Sequence, residues 1–262
     1  MRLNLQGLWQ LSPLTDLSIP QDDLQLPGAI SQVLPKHLSE QMIAEQEWHL
    51  MHDFELTQQQ FAASAIDIVL SAVSGYSQIR INGRAVMDCD GKHQRYRKEI
   101  KGYLQLGLNR IEILFLEQDE EDLLLDEESV SSHCSLVNQA QTEGTVLGIW
   151  DMPYLQFIPH TRLEHITMQQ IWHHGGGCEF KVDVYFQTYR AGLVSATIKF
   201  DGVSFTLPVD VRCDKVSALF QIEAPLVNAS DKPYQLDVML DGQSESVDVV
   251  LDPQTNVQHC VV

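Results

Sequence analysis

The chain has 262 residues, a formal net charge of −19 at pH 7 and a pI near 4.7. A field of that sign repels phosphate backbones and anionic lipid surfaces, which are bound by Lys and Arg replacing counterions, so neither nucleic acid nor membrane is expected as a partner. Hydrophobic residues make up 44% and charged residues 20%, the balance of a folding chain, and the length suits two domains of ordinary size.

Residues 1–7 hold no apolar stretch long enough for a signal peptide or a membrane span, which gives a cytoplasmic expectation. The five cysteines, Cys89, Cys134, Cys178, Cys213 and Cys260, are widely spaced and form no Cys-x-x-Cys pair. They are expected as reduced thiols with no metal. Cys89, Cys178 and Cys213 border strand-like segments, where a free cysteine behaves as a small buried hydrophobe.

Apolar residues recur at three and four over residues 30–39 and again over 40–48, predicting a short helical decoration. Strand signals follow at 65–72, 77–81 and 110–116, punctuated by Asn82-Gly83, Asp90-Gly91 and Gly107, where glycine supplies positive φ at little cost. Residues 117–128 carry eight acidic side chains around Leu123-Leu124-Leu125 and read as a solvated loop or frayed helix. Residues 154–158 close one set of strands and 166–171 open another, which places a boundary near Pro159-His160-Thr161. Gly175-Gly176-Gly177 then reads as a hairpin tip, because no helix signal follows it to make a phosphate cradle.

From Cys178 onwards the pattern is strictly two-fold. Phe180, Val182, Val184 and Phe186 face one way, and Lys181, Asp183 and Tyr185 the other, as in a sheet with one buried face. Further strands are predicted at 193–200, 216–222, 234–240 and 246–251. Short strands at this spacing argue for antiparallel sandwiches, so the fold is expected to be all-β. Trp9, Trp48 and Trp150 fall in strand-like segments and are expected in a core or inter-domain role, leaving Trp172, beside the glycine run, as the exposed stacking candidate.

Four segments carry a resemblance. They are Leu5-Gln6-Gly7-Leu8-Trp9 followed by Leu26-Pro27-Gly28; the run from Trp48 through Asp53-Phe54; the long run from Val73 to Gly83 continued by Arg95-Tyr96-Arg97 and residues 109–115; and Gly148-Ile149-Trp150-Asp151-Met152-Pro153. In this order they resemble the β-mannosidase branch of glycoside hydrolase family two. The resemblance implies a jelly-roll, galactose-binding-like sandwich for residues 1–160 and an immunoglobulin-like β-sandwich for 161–262. In that family the catalytic pair comes from a (β/α)₈ barrel, which takes about 250 residues and has no counterpart in this chain.

Retaining hydrolysis needs two carboxyl groups about 5–5.5 Å apart, and the Asp and Glu here fall in turns and on solvent faces, so no catalytic residue is assigned. Where members of the family carry a Trp-Asp-Trp-Gly loop, this chain has residues 138–147 without tryptophan. Gln139, Gln141 and Glu143 of that stretch, with Trp172, are the carbohydrate-contact candidates, since a sugar site pairs an aromatic face with planar amide or carboxyl groups. The family's Leu-Trp-Trp-Pro run is likewise replaced here, by residues 226–233. His165, His173 and His174 make no chelating set, because adjacent histidines on a strand point apart. No metal and no cofactor is expected.

Three functional readings follow. The first is a non-catalytic accessory or scaffold module related to β-mannosidase, with weak contact to a manno-configured carbohydrate and a catalytic barrel or other protein as partner. The second is the N-terminal portion of an active β-mannosidase. The third is an interaction protein that docks a basic partner through Asp122, Glu127 and Glu128.

Overall fold

The computed structural model describes residues 1–116, 146–210, 212–227, 233–254 and 257–261, the last of these by backbone alone. The described residues up to Phe157 form one compact unit, and those from Ile158 onwards form a second. Both are built almost entirely from antiparallel strands, as the two-fold patterning predicts.

In the first unit a six-stranded sheet runs, in spatial order, Asp22–Gln25, Leu8–Pro13, Trp48–Leu56, Gly107–Phe115, Ser77–Ile81 and Arg84–Cys89. A four-stranded sheet runs Arg2–Asn4, Tyr154–Ile158, Ala65–Ser71 and Arg95–Glu99. Successive side chains on a strand alternate faces, so Leu50, Phe54 and Leu56 share one face with Ile111, Ile113 and Phe115 of the neighbouring strand. They enter one core with Ile66, Ile68 and Leu70 of the other sheet. Trp9 and Trp48 are fully buried, as expected, and each indole N–H donates to a carbonyl, of Leu5 at 3.3 Å and of Ile43 at 2.9 Å. A buried indole needs such a partner, because an unpaired buried donor costs more than the bond itself returns.

The helical expectation at 30–48 is met only in fragments. A 3₁₀ turn covers Ile30–Gln32 and a short helix covers Glu40–Ala44, capped by the Ser39 hydroxyl, which accepts from Met42 N. Pro35 lies between them and disfavours helix in the residue before it, while Trp48 already belongs to a strand. One helix escaped the periodicity, at Gln58–Phe61, where Thr57 and Gln60 form a reciprocal capping box. Four residues are too few to show a repeat of 3.6, but the Thr-x-x-Gln signature was there to be read.

The second unit has two four-stranded sheets. One runs Lys215–Ile222, Cys178–Thr188, Thr161–Trp172 and Val257–Val261; the other runs Val203–Pro208, Ser195–Phe200, Tyr234–Leu240 and Gln243–Val249. Phe180, Val182, Val184 and Phe186 are buried on the face read from the sequence and meet Ile198, Phe200, Leu236 and Val238 of the other sheet. Phe180 stacks on Phe200 at 4.2 Å between ring centroids, an offset arrangement worth something beyond its buried area.

Polar side chains join the sheets of this second unit at both ends. The Asp241 carboxylate accepts from the backbone N–H of His160 and of Thr161, each at 2.8 Å. Gln243 donates to Thr161 O at 2.7 Å and accepts from Leu163 N at 3.1 Å. At the other end buried Gln170 donates to Val250 O at 3.3 Å and accepts from Asp252 N at 2.9 Å. Among the described residues strand Val257–Val261 pairs with its neighbour over His165–Gln169, and Asp241 and Gln243 satisfy backbone groups of that neighbour at Thr161 and Leu163, beyond the ladder.

Candidate functional site

One corner of the first unit gathers several of the resembling segments. Ala72, at φ 49°, donates its N–H to Gln94 O at 2.8 Å and accepts from Trp150 N at 3.0 Å. The two-residue strands Gly28–Ala29, Gly148–Ile149 and Val73–Ser74 form a small sheet here. Gly75, at φ 94°, permits the close approach: a Cβ built on it would lie 2.4 Å from Leu147 Cδ2. The described chain leaves this corner at Leu116, whose N–H donates to Tyr76 O at 3.3 Å, and re-enters beside it at Val146 and Leu147.

Next to Gln94 in sequence, the Asp90-Gly91 turn carries a side-chain network. Tyr96 OH donates to Asp90 Oδ1, which also accepts from Lys92 N at 3.0 Å and contacts His93 Nδ1 at 3.0 Å. Burial pushes the Asp90 carboxyl up, but these hydrogen bonds together outweigh it and hold the group down at about 2. Burial, and then the same bond to Asp90, push the Tyr96 phenol up.

A second polar site lies on the outer face of the six-stranded sheet. Arg110 donates to both Asp53 oxygens, at 2.6 and 2.9 Å, from the position directly opposite on the neighbouring strand. The guanidinium's hydrogen bonds hold the Asp53 carboxyl below its usual range. This pair borders a groove of about 290 Å³ together with Leu8, Gln10, Asp23 and Met51.

The structure redistributes the tryptophans. Trp150, expected in a core or inter-domain role, is not in a core and is 46% exposed. Its two-residue strand ends at Ile149, so the chain turns outward one residue before the strand signal does. Trp172, expected to be exposed, is half-buried against the core of the second unit, and its indole N–H donates to Gln170 Oε1 at 3.3 Å. Gln139, Gln141 and Glu143 lie outside the described residues, as do Asp122, Glu127 and Glu128. The Gly175–Gly177 run is a hairpin turn, with His173 N donating to Gly177 O at 2.9 Å. Cys89 and Cys178 are buried as expected, but Cys213 is exposed, because it sits in a turn held by its N–H to Asp210 O rather than on the strand that starts at Lys215.

The carboxyl groups of Asp16, Asp53, Asp90, Asp183 and Asp210 are each held below the usual carboxylate range. Asp210 reaches about 2 through its bonds from Arg212. For Asp183, burial acts upward and is outweighed by the Ser217 hydroxyl and by Lys181 at 2.9 Å. These five are anions that accept hydrogen bonds.

Residues 22–147 match the family described as glycosyl hydrolase 2 galactose-binding domain-like. A search of curated proteins by sequence finds no match. Among solved structures the chain is similar to a β-D-mannosidase from Dictyoglomus thermophilum, with 15% identity and a TM-score of 0.64, over 95% of this chain and 36% of that one. It is similar to a β-galacturonidase of glycosyl hydrolase family 2 from Eisenbergiella tayi, with 15% identity and a TM-score of 0.62, over 95% of this chain and 43% of that one. It is also similar to a β-D-glucuronidase from Dictyoglomus thermophilum, with 11% identity and a TM-score of 0.61, over 95% of this chain and 44% of that one. At these identities the likeness is one of fold, and the chain spans less than half the length of each. Among the described residues no helix is long and apolar enough to cross a membrane.

Proposed function

We propose that the galactose-binding-like domain of glycosyl hydrolase 2 type in residues 22–147, with the sandwich after it, acts as the non-catalytic pair of modules belonging to a β-mannosidase-type glycoside hydrolase. The first is read as a jelly roll and the second as immunoglobulin-like, with the division near residue 160, in the cytoplasm. Their role is scaffolding for a catalytic barrel, with weak carbohydrate contact.

The observation that carries this reading is the extent of the fold likeness: nearly the whole chain, both units in order, corresponds to a minority portion of each glycosidase. Those enzymes are named for three different sugars, so fold does not choose among them. The manno-configured preference rests on the four resembling segments.

The same partial coverage favours a second reading, that these residues are the N-terminal portion of an active β-mannosidase. To test the first, the purified chain is titrated with mannobiose by calorimetry and assayed on chromogenic β-mannoside, β-glucuronide and β-galacturonide. Millimolar binding without turnover is the expected result. Turnover that stays with the protein through purification sinks the scaffold reading, and barrel-coding sequence directly downstream of residue 262 replaces it with the second.

A further inference from the structure

Asn82-Gly83 is the one Asn-Gly pair in the sequence, and none of the functional readings above uses it. It makes the turn between Ser77–Ile81 and Arg84–Cys89, with Ile81 opposite Arg84, Asn82 at φ 51° and Gly83 at φ 78°. Asparagine and glycine suit such a turn because both take left-handed backbone. The same pair is chemically fragile, since a glycine nitrogen has no side chain beside it to shield it.

The reaction is intramolecular. The Gly83 nitrogen loses its proton to base and attacks Asn82 Cγ. That C–N bond forms, the Cγ–Nδ2 bond breaks, and ammonia leaves with a proton from solvent. Water then opens the cyclic imide at either carbonyl, giving aspartate or isoaspartate with no change of oxidation state.

The structure leaves the nucleophile open and restrains the electrophile. Gly83 is exposed, and a Cβ built on it would meet no atom within 4 Å. The Asn82 amide is instead drawn toward strand Gly107–Phe115. Its Nδ2 donates to Tyr103 O at 2.9 Å and to Asn109 Oδ1 at 3.0 Å, and its Oδ1 accepts from Arg110 N at 2.9 Å. Asn109 is a firm anchor, 2% exposed, donating to Gln105 O and Gly107 O at 2.8 and 2.9 Å and accepting from Gln105 N at 2.8 Å.

We propose that Asn82 is a latent deamidation site, held closed in the folded chain by its three side-chain hydrogen bonds and opened when this hairpin lifts from strand Gly107–Phe115. Arg84–Cys89 lies at the edge of its sheet, where local opening is easiest. Conversion is damaging. A carboxylate only accepts, and at position 82 it faces two acceptors, Tyr103 O and Asn109 Oδ1. Isoaspartate also lengthens the backbone of a two-residue turn. The inference is independent of the scaffold reading.

The test follows deamidation of the full chain at pH 8 and 37 °C by peptide mass spectrometry, folded and in guanidinium chloride. Breaking three hydrogen bonds predicts that Asn82 converts about tenfold or more slowly in the folded protein. Asn109→Ala, which removes one of them, is expected to speed folded-state conversion about threefold or more. Asn82→Asp, one of the two products, is expected to melt about 2–4 °C or more below the native protein, and this reading stands even if Asn109→Ala fails to fold. Equal rates folded and unfolded, a folded Asn109→Ala that converts no faster, or an Asn82→Asp midpoint equal to the native one overturns the proposal.

Discussion

Gln243 lies on one sheet of the second unit and closes hydrogen bonds with the backbone of Thr161 and Leu163 on the other, at 2.7 and 3.1 Å. Its amide does for two buried backbone groups what a neighbouring strand would do. Gln243→Ala leaves a carbonyl and an N–H without these partners, at about 1–3 kcal/mol for each buried group. Urea denaturation is expected to show a loss of about 2–4 kcal/mol on the same scale. A Gln243→Ala midpoint equal to that of the native protein would mean that the backbone finds other partners.

The Asp90 network makes a pH-dependent contribution. The folded carboxyl titrates at about 2 against an ordinary 3.8. Its stabilisation is therefore complete above pH about 3.8 and is lost as the pH falls through about 2, the direction expected for a depressed acid. Tyr96→Phe removes the strongest donor, so the Asp90 carboxyl is expected to rise toward its ordinary value. Carbon-detected NMR titration of the side chain reads this directly. An unchanged Asp90 pKa in the variant would assign the depression to Lys92 N and His93 alone.

For Arg110 and Asp53 a small number is expected despite the bidentate geometry, because both side chains are about half-exposed. A double-mutant cycle with Arg110→Ala and Asp53→Ala should return a coupling of about 0.5–1 kcal/mol, the scale of surface ion pairs. In 0.5 M salt most of it should vanish. Coupling above about 2 kcal/mol that persists in salt would show that the pair is more shielded from water than its exposure suggests.

Thiol chemistry should separate the cysteines. Burial pushes Cys89 up to about 12, and it pushes Cys178 up as well, whereas Cys213 is exposed. Since the thiolate is the reacting species, iodoacetamide at pH 8 should label Cys213 rapidly in the native protein. Cys89 should be labelled only after unfolding, as read by peptide mass mapping. Equal native labelling of Cys89 and Cys213 would contradict the packing around Cys89.

The sequence was most readable where one face of a strand is buried. The alternation from Phe180 to Phe186 is a direct imprint of a half-buried sheet, and its core residues were named correctly. It was least readable at chain reversals. Trp150 and Cys213 sit one or two residues beyond where a strand pattern loses its meaning, and local hydrophobicity does not record which way a turn throws a side chain.

The first strand, Arg2–Asn4, pairs with Tyr154–Ile158 at the far end of the unit: its register runs from Arg2 opposite Gln156 to Asn4 opposite Tyr154. Leu5 N also donates to Pro153 O, and Phe157 N to Met1 O. During synthesis Arg2–Asn4 therefore wait for a partner strand added about 150 residues later, at an addition rate of about 5–20 residues per second. Until then Leu155 and Phe157 are missing from the core they help fill, and the neighbouring edge of Ala65–Ser71 has no strand beside it. A product ending at residue 147, where the family match stops, would hold that unfinished state permanently and present an open edge to other chains.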